Sequence, residues 1–236
     1  MTHASRKLPA TFAALLLAAT LPACSILPKQ APAATYQLPL QHPAQARSGV
    51  HGPRADGPIL VIHSPASNRV LDSDRVIIAQ PDGRLAAWQG LRWADTAPVL
   101  LRDRLAEAFI QDGRLTVHVD SAAPAAELDL LGALRAFQVE QRGTAPVVAI
   151  RLDAQLAERD RAGAGVSRRF EVVHAAASKR ETDVIAAFGA ASDALAAQVV
   201  DWVLEQPTAS ATGSDARARH ADLPSPAAAE SSHSTR

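Results

Sequence analysis

Cysteine is almost absent from this chain: of 236 residues only Cys24 carries a thiol, so no internal disulfide can form. Excess charge is absent as well. Lys plus Arg number 24 and Asp plus Glu 24, so no net field draws the protein to nucleic acid or acidic lipid. Aromatic residues make up only 4%. Several chemical signatures are missing: there is no glycine-rich phosphate loop, no H-E-x-x-H or C-x-x-C pair, and no G-x-S-x-G elbow. These absences point away from nucleotide, zinc-protease and serine-hydrolase chemistry. No catalytic residue, metal site or cofactor is expected, and the chain reads as a non-enzyme.

The N-terminus has what the rest lacks. Arg6 and Lys7 precede an uncharged apolar stretch, Phe12 to Thr20. That stretch falls short of the about 20 apolar residues needed to cross a bilayer as a helix, so it reads as an export signal. It ends in Leu21-Pro22-Ala23-Cys24, which resembles the lipobox of bacterial lipoproteins. A lone cysteine in an exported protein then has a chemical purpose: after cleavage before it, the Cys24 thiol takes up the lipid. More than one acyl chain gives stable anchoring, at ~0.8 kcal/mol per buried CH₂. Ser25 stands where an aspartate commonly retains such proteins in the inner membrane, so the expected location is the periplasmic face of the outer membrane.

This divides the chain into a signal peptide (1–23), a lipidated tether (24–34), a folded domain (35–206) and a tail (207–236). The tail is rich in Ala, Ser, Pro and charge and is expected to be disordered, because it cannot bury enough apolar area to offset chain entropy. Within the domain, strands are expected at 35–40, at the continuous apolar run Ile59 to Ile62, and at Arg75 to Gln80 and Arg84 to Trp88 around a Pro81-Asp82-Gly83 turn. A helix follows, capped by Asp95 or Thr96, with Pro98 in its first turn and Gly113 at its end. Leu101, Leu105, Ala108 and Phe109 share its apolar face.

Leu115, Val117 and Val119 alternate as a strand. Three longer strands should form an antiparallel meander: Glu127 to Gln141, with a parity switch suggesting a bulge near Gly132, then Val148 to Leu156, then Val166 to Val172. Ser178 and Glu181 have capping-box spacing for a last helix with Phe188, Leu195, Val199 and Trp202 on one stripe. The expected fold is α+β, a mainly antiparallel sheet with two helices packed on one face.

Few residues suggest a site. His63, His118 and His174 lie in or beside separate strands and would form a metal site only if the fold united them; surface histidines are the ordinary alternative. Asp72, Asp74 and Asp82 lie near a turn, where acids are usually just solvated. Arg92-Trp93-Ala94-Asp95 is the most distinctive string. Trp93 can be a core anchor or, with the charged residues near it, a partner contact.

The order of these pieces resembles a known family. Tyr36-Gln37-Leu38, Arg69-Val70-Leu71-Asp72 leading into Arg75-Val76-Ile77, the Leu91 to Asp95 string, the helix of Leu101, Leu105 and Phe109, and Phe137 follow one another as in the ABC-type transport auxiliary lipoproteins. These belong to MCE-type intermembrane lipid transport systems such as Pqi. The similarity spans roughly Tyr36 to Glu205. Tyr36 stands alone where members often have two aromatics, and the tail extends beyond the resemblance.

The resemblance implies an auxiliary, non-enzymatic role and a periplasmic MCE-domain partner. Through that partner it implies an inner-membrane ABC transporter or related permease, and a homo-oligomer is possible. It also marks Arg75, Trp93 and Asp95 as contact or structural positions. The alternative is an outer-membrane lipoprotein that regulates envelope assembly, acting on a peptidoglycan synthase or the lipopolysaccharide machinery.

Overall fold

The computed structural model describes residues 33–40, 57–143, 145–159 and 165–207. The stretch expected to be a signal peptide, Cys24, the expected tether as far as Pro32, residues 41–56 and the expected tail from 208 on lie outside the described residues.

Apolar runs and alternation set the elements. Among the described residues, eight strands and two helices follow in the order β1 (Ala34–Tyr36), β2 (Ile59–Ile62), β3 (Arg75–Ala79), β4 (Leu85–Trp93), α1 (Ala97–Asp112), β5 (Thr116–Val119), β6 (Leu128–Arg142), β7 (Ala145–Glu158), β8 (Gly165–Ala175) and α2 (Glu181–Leu204). The first strand is shorter than the sequence suggests and stops at Tyr36. The fourth is longer: it runs through Gly90 (φ 81°) to Trp93, so Trp93 ends a strand.

All eight strands join one sheet organised on β6, and here the expectation of a mainly antiparallel sheet needs correction. The meander β6–β7–β8 is antiparallel, as is β3–β4. Four pairings are parallel: β1 with β4, β2 with β5, and both β2 and β3 with β6. β2 and β3 lie end to end along one edge of β6. Leu60 to Ile62 face Leu128 to Leu130, Ala66 bridges Ala133, and Ile77 to Ala79 face Gln138 to Glu140. Alternation records which face of a strand is buried. It does not record which strand lies beside it, and long connections permit the parallel pairings, through α1 for β2–β5, β2–β6 and β3–β6 and through β2 and β3 for β1–β4.

The parity switch in β6 is present but displaced. The register against β7 shifts between Leu134 and Ala136, leaving Arg135 as the extra residue. Gly132 has a different purpose: a Cβ there would meet the Asp153 carbonyl oxygen at 2.9 Å. Close approach of β7 demands glycine.

Helix α1 starts at Thr96 and stops at Gly113, whose φ of 77° is left-handed and whose N–H donates to the Phe109 carbonyl at 3.0 Å. Neither helix has a side-chain cap. The Ser178–Glu181 capping box does not form. Arg180 is the N-cap, and the Ser178 hydroxyl donates to Asp183 at 2.5 Å instead, so the acid engaged lies two residues further on. Helix α2 is long and apolar enough to cross a membrane by length and composition, yet Phe188, Leu195, Val199 and Trp202 are buried and make it a core helix. It packs on β7, β8 and α1, while α1 also touches β5 and β2. One apolar core unites both helices with β2, β3, β4 and the meander.

Candidate functional site

The Arg92 to Asp95 string lies where β4 meets α1. Trp93 is 2% exposed. Its indole meets Phe188 edge-on at 5.0 Å between ring centroids and Phe137 at 5.8 Å. Its backbone is held from both sides: Trp93 N–H donates to the Asp74 carbonyl at 2.6 Å, and Ala94 N–H to the Tyr36 carbonyl at 2.8 Å. The indole N–H is buried without a hydrogen-bond partner.

Asp95 is exposed and accepts the Thr96 N–H at 2.7 Å. Arg75 is exposed on β3, opposite Arg92, whose guanidinium donates to both oxygens of Asp74 at 2.7 and 2.8 Å. Trp93 therefore points into the core, while Arg75 and Asp95 remain at the surface. Cys24 lies outside the described residues.

A residue that the sequence reading passed over joins the N-terminal segment to the helices. Arg104 of α1 is 6% exposed. It pairs with Asp193 of α2, and its Nη2 donates to the carbonyls of Leu38 and Pro39, both at 2.9 Å. A signal for it exists: Arg104 falls three residues after Leu101 and four before Ala108, on the apolar face. An arginine there must bring its partners into the core. The latch ties the chain just after β1 to both helices.

The face of the meander away from α2 carries ordered charge. Arg135 of β6 and Arg169 of β8 both donate to Asp153 of β7, at 2.8 and 2.5 Å. Bonds from Arg169 and then Arg135 hold the Asp153 carboxyl far below the usual range. Arg151 bridges Glu140 at 3.0 Å and Glu171 at 2.9 Å. Burial pushes Glu140 up, but donors from Gln138, Arg142 and Arg151 outweigh it and the net shift is down.

Near the end of β2, Arg159 donates to both oxygens of Asp129 at 2.7 and 2.8 Å, and His63 Nε2 donates to Asp129 at 2.8 Å. Arg159 first, then His63, lowers the Asp129 carboxyl. Asp120, at a left-handed φ of 42°, accepts the Ser64 N–H and hydroxyl, each at 2.8 Å, and Arg102 at 2.5 Å. Burial opposes ionisation of Asp120, and these donors overcome it.

The three histidines are not brought together. His63 is on Asp129, His118 is exposed on β5, and His174 pairs with Val148 across β7, beyond β6 from β2. Among the described residues no group of three or more His, Cys, Asp or Glu is placed to hold a metal. Asp74 is taken by Arg92 and Asp82 by Arg84, and Asp72 is exposed, so the three acids form no shared site. Ser64 is committed to Asp120 and Arg102.

Comparison with known proteins agrees with this architecture. Protein XCC0632 from Xanthomonas campestris has a similar structure, with a TM-score of 0.60 at 24% identity, covering 78% of this chain and 99% of its own. A second crystal structure, of an uncharacterized protein, matches with a TM-score of 0.59 at 16% identity, covering 73% of this chain and 99% of its own. At these identities the likeness is one of fold. Among curated proteins, none matches. The family model described as ABC-type transport auxiliary lipoprotein component matches residues 36–200, from the last residue of β1 into the final turns of α2, and to that family the chain belongs.

Proposed function

We propose that this protein is acylated on Cys24, anchored in the outer membrane with its domain in the periplasm, and serves as the non-enzymatic auxiliary component of an MCE/ABC-type system moving phospholipid between membranes. The observation that carries this reading is the family match over residues 36–200, which begins shortly after the Leu21 to Cys24 lipobox. The fold is in keeping with it. The segment from Cys24 to Ala34 can span at most ~35 Å at 3.3–3.6 Å per residue. It leads into β1 and the Arg104 latch, so the domain is held close to the membrane surface rather than across the cell wall. That short reach favours a transport partner arriving at the membrane over a peptidoglycan synthase beyond the wall. In this reading an MCE-domain protein docks the domain and lipid crosses the last gap there.

The test is affinity capture of the tagged full chain from cross-linked membranes, read by quantitative mass spectrometry. Enrichment of an MCE-domain protein together with ABC transporter or permease subunits is the expected result. Recovery of peptidoglycan synthases or lipopolysaccharide-assembly proteins, with no transport component, would overturn it.

A further inference from the structure

Strand direction gives the domain two unlike ends. β3, β6 and β8 run one way, and β1, β4 and β7 the other. One end therefore gathers the β3–β4 turn at 80–84, the β6–β7 turn at Gly143 and the passage from β8 into α2. Ala79 faces both Leu85 and Glu140 there, and Val147 faces both Glu140 and Ala175. The other end gathers the start of β6, the end of β7 and the ends of both helices. Leu128 faces Glu158, the Glu127 carboxylate accepts the Ile59 N–H where β2 begins, and Asp112 and Asp201 both act on Arg114 just past α1.

Charge divides the same way. At the hairpin end the pairs Arg84–Asp82, Arg142–Glu140 and Arg180–Asp183 cancel, and Lys179 offsets Glu181. Leu85, at the foot of the turn, is 44% exposed. At the far end Asp112, Glu127, Glu158, Asp201 and Glu205 leave an acidic excess over Arg114, Arg159 and Arg168. Both helices also point their negative C-terminal ends that way.

Resting on the acylated Cys24 of the reading above, we propose that the hairpin end is the surface that meets the membrane. Pro81 to Leu85 and the turn at Gly143 lie against phospholipid headgroups, Leu85 enters them, and the acidic end faces away. β1 runs parallel to β4, away from the hairpin end, so the backbone at Ala34 points back toward it. Reach agrees. Ala34 faces Leu91, next to Arg92, and Arg92 faces Arg75, two residues before Ile77 faces Gln138. Ala34 is thus about level with Phe137, ~20 Å from Gly143 and ~30 Å from Leu128 along β6 at 3.3 Å per residue. The segment from Cys24 to Ala34 spans at most ~35 Å. That reaches the hairpin end with slack, and the far end only by a chain pulled nearly straight and reversed at Ala34. A surface containing anionic phospholipid repels an acidic excess and accepts a neutral end. An exposed leucine leaving water there adds to the hold of the acyl chains.

The test uses the purified full chain in vesicles of phosphatidylethanolamine and phosphatidylglycerol. Cys24 is the only cysteine, and acylation blocks it, so single cysteines can be introduced and labelled with a fluorophore. Gln80→Cys and Ala145→Cys mark the hairpin end, and Ala125→Cys and Gln111→Cys the far end; all four positions are exposed. Phospholipid carrying a nitroxide on its headgroup is expected to quench the first two several-fold more than the other two. Leu85→Ser is expected to weaken quenching at Gln80→Cys while the protein still floats with the vesicles. Equal quenching at both ends, or stronger quenching at Ala125→Cys and Gln111→Cys, in a chain that floats and takes no label on Cys24 would overturn the orientation and leave the anchor standing. A wild type that labels on Cys24 and does not float would overturn the anchor and the orientation with it. Circular dichroism checks folding, and two sites at each end preserve the comparison if one variant unfolds.

Discussion

Replacing Arg104 by methionine keeps most of the buried stem and removes the guanidinium. Asp193 then loses its guanidinium partner, and the carbonyls of Leu38 and Pro39 lose the donors that hold them at 2.9 Å. Removing one member of a buried ion pair typically costs 3–5 kcal/mol. Asp193 is 23% exposed, so water recovers part of the loss. The expected cost is therefore near the low end, about 3 kcal/mol.

For a domain of this size that corresponds to a fall of roughly 6–12 °C in melting temperature. Calorimetry of the full chain reads the total. Hydrogen exchange reads the location: protection at Ala34 to Tyr36 should fall before that of β7. Arg104→Lys keeps the charge but not the planar fork, so it should recover only part of the loss. A methionine variant that melts within about 2 °C of the wild type, roughly 1 kcal/mol or less, would refute the idea that the latch holds the N-terminal segment, as would an exchange change spread evenly over the sheet.

Trp93→Ala should cost ~4 kcal/mol in a denaturant melt, because it deletes a fully packed ring and two aromatic contacts. Near-normal stability with lost capture of transport partners would instead make Trp93 a docking residue. Cys24→Ala should abolish acylation and leave the precursor uncleaved or mislocalised; a wild-type N-terminus without acyl mass on Cys24 would contradict the anchor. Asp129, Asp120 and Glu140 all have carboxyls lowered in the fold. Such groups stabilise the protein above the ordinary carboxylate range near about 4, and the contribution is lost as pH falls through their lowered values. Melting temperature should therefore fall steeply with acidification below about pH 4. Asp129→Asn should flatten that fall, and an unchanged acid profile in this variant would remove Asp129 from the account.

The sequence by itself determined the elements. Val148, Ile150 and Leu152 alternating with Arg151 and Asp153 define β7, and the same alternation foretells that its charges face away from α2. Pro98 and Gly113 bound α1 because a proline first turn and a left-handed stop are local chemistry, whereas Thr96 occupies the N-cap position without the side-chain bond expected there. The meander was legible because short loops leave antiparallel neighbours little choice. Tertiary structure alone decided what depends on distant neighbours. The parallel placement of β2 and β3 along β6 is a choice of partner, on which side-chain period is silent. The bulge settled at Arg135, while Gly132 stays in register against Ala154, where β7 approaches closely. Ser178 found Asp183 rather than Glu181 once the first turn of α2 was set. Arg104 became the latch only when α2 delivered Asp193 and the chain after β1 delivered two carbonyls. A charge on an apolar face announces that it needs partners, but only the packed fold decides which groups supply them.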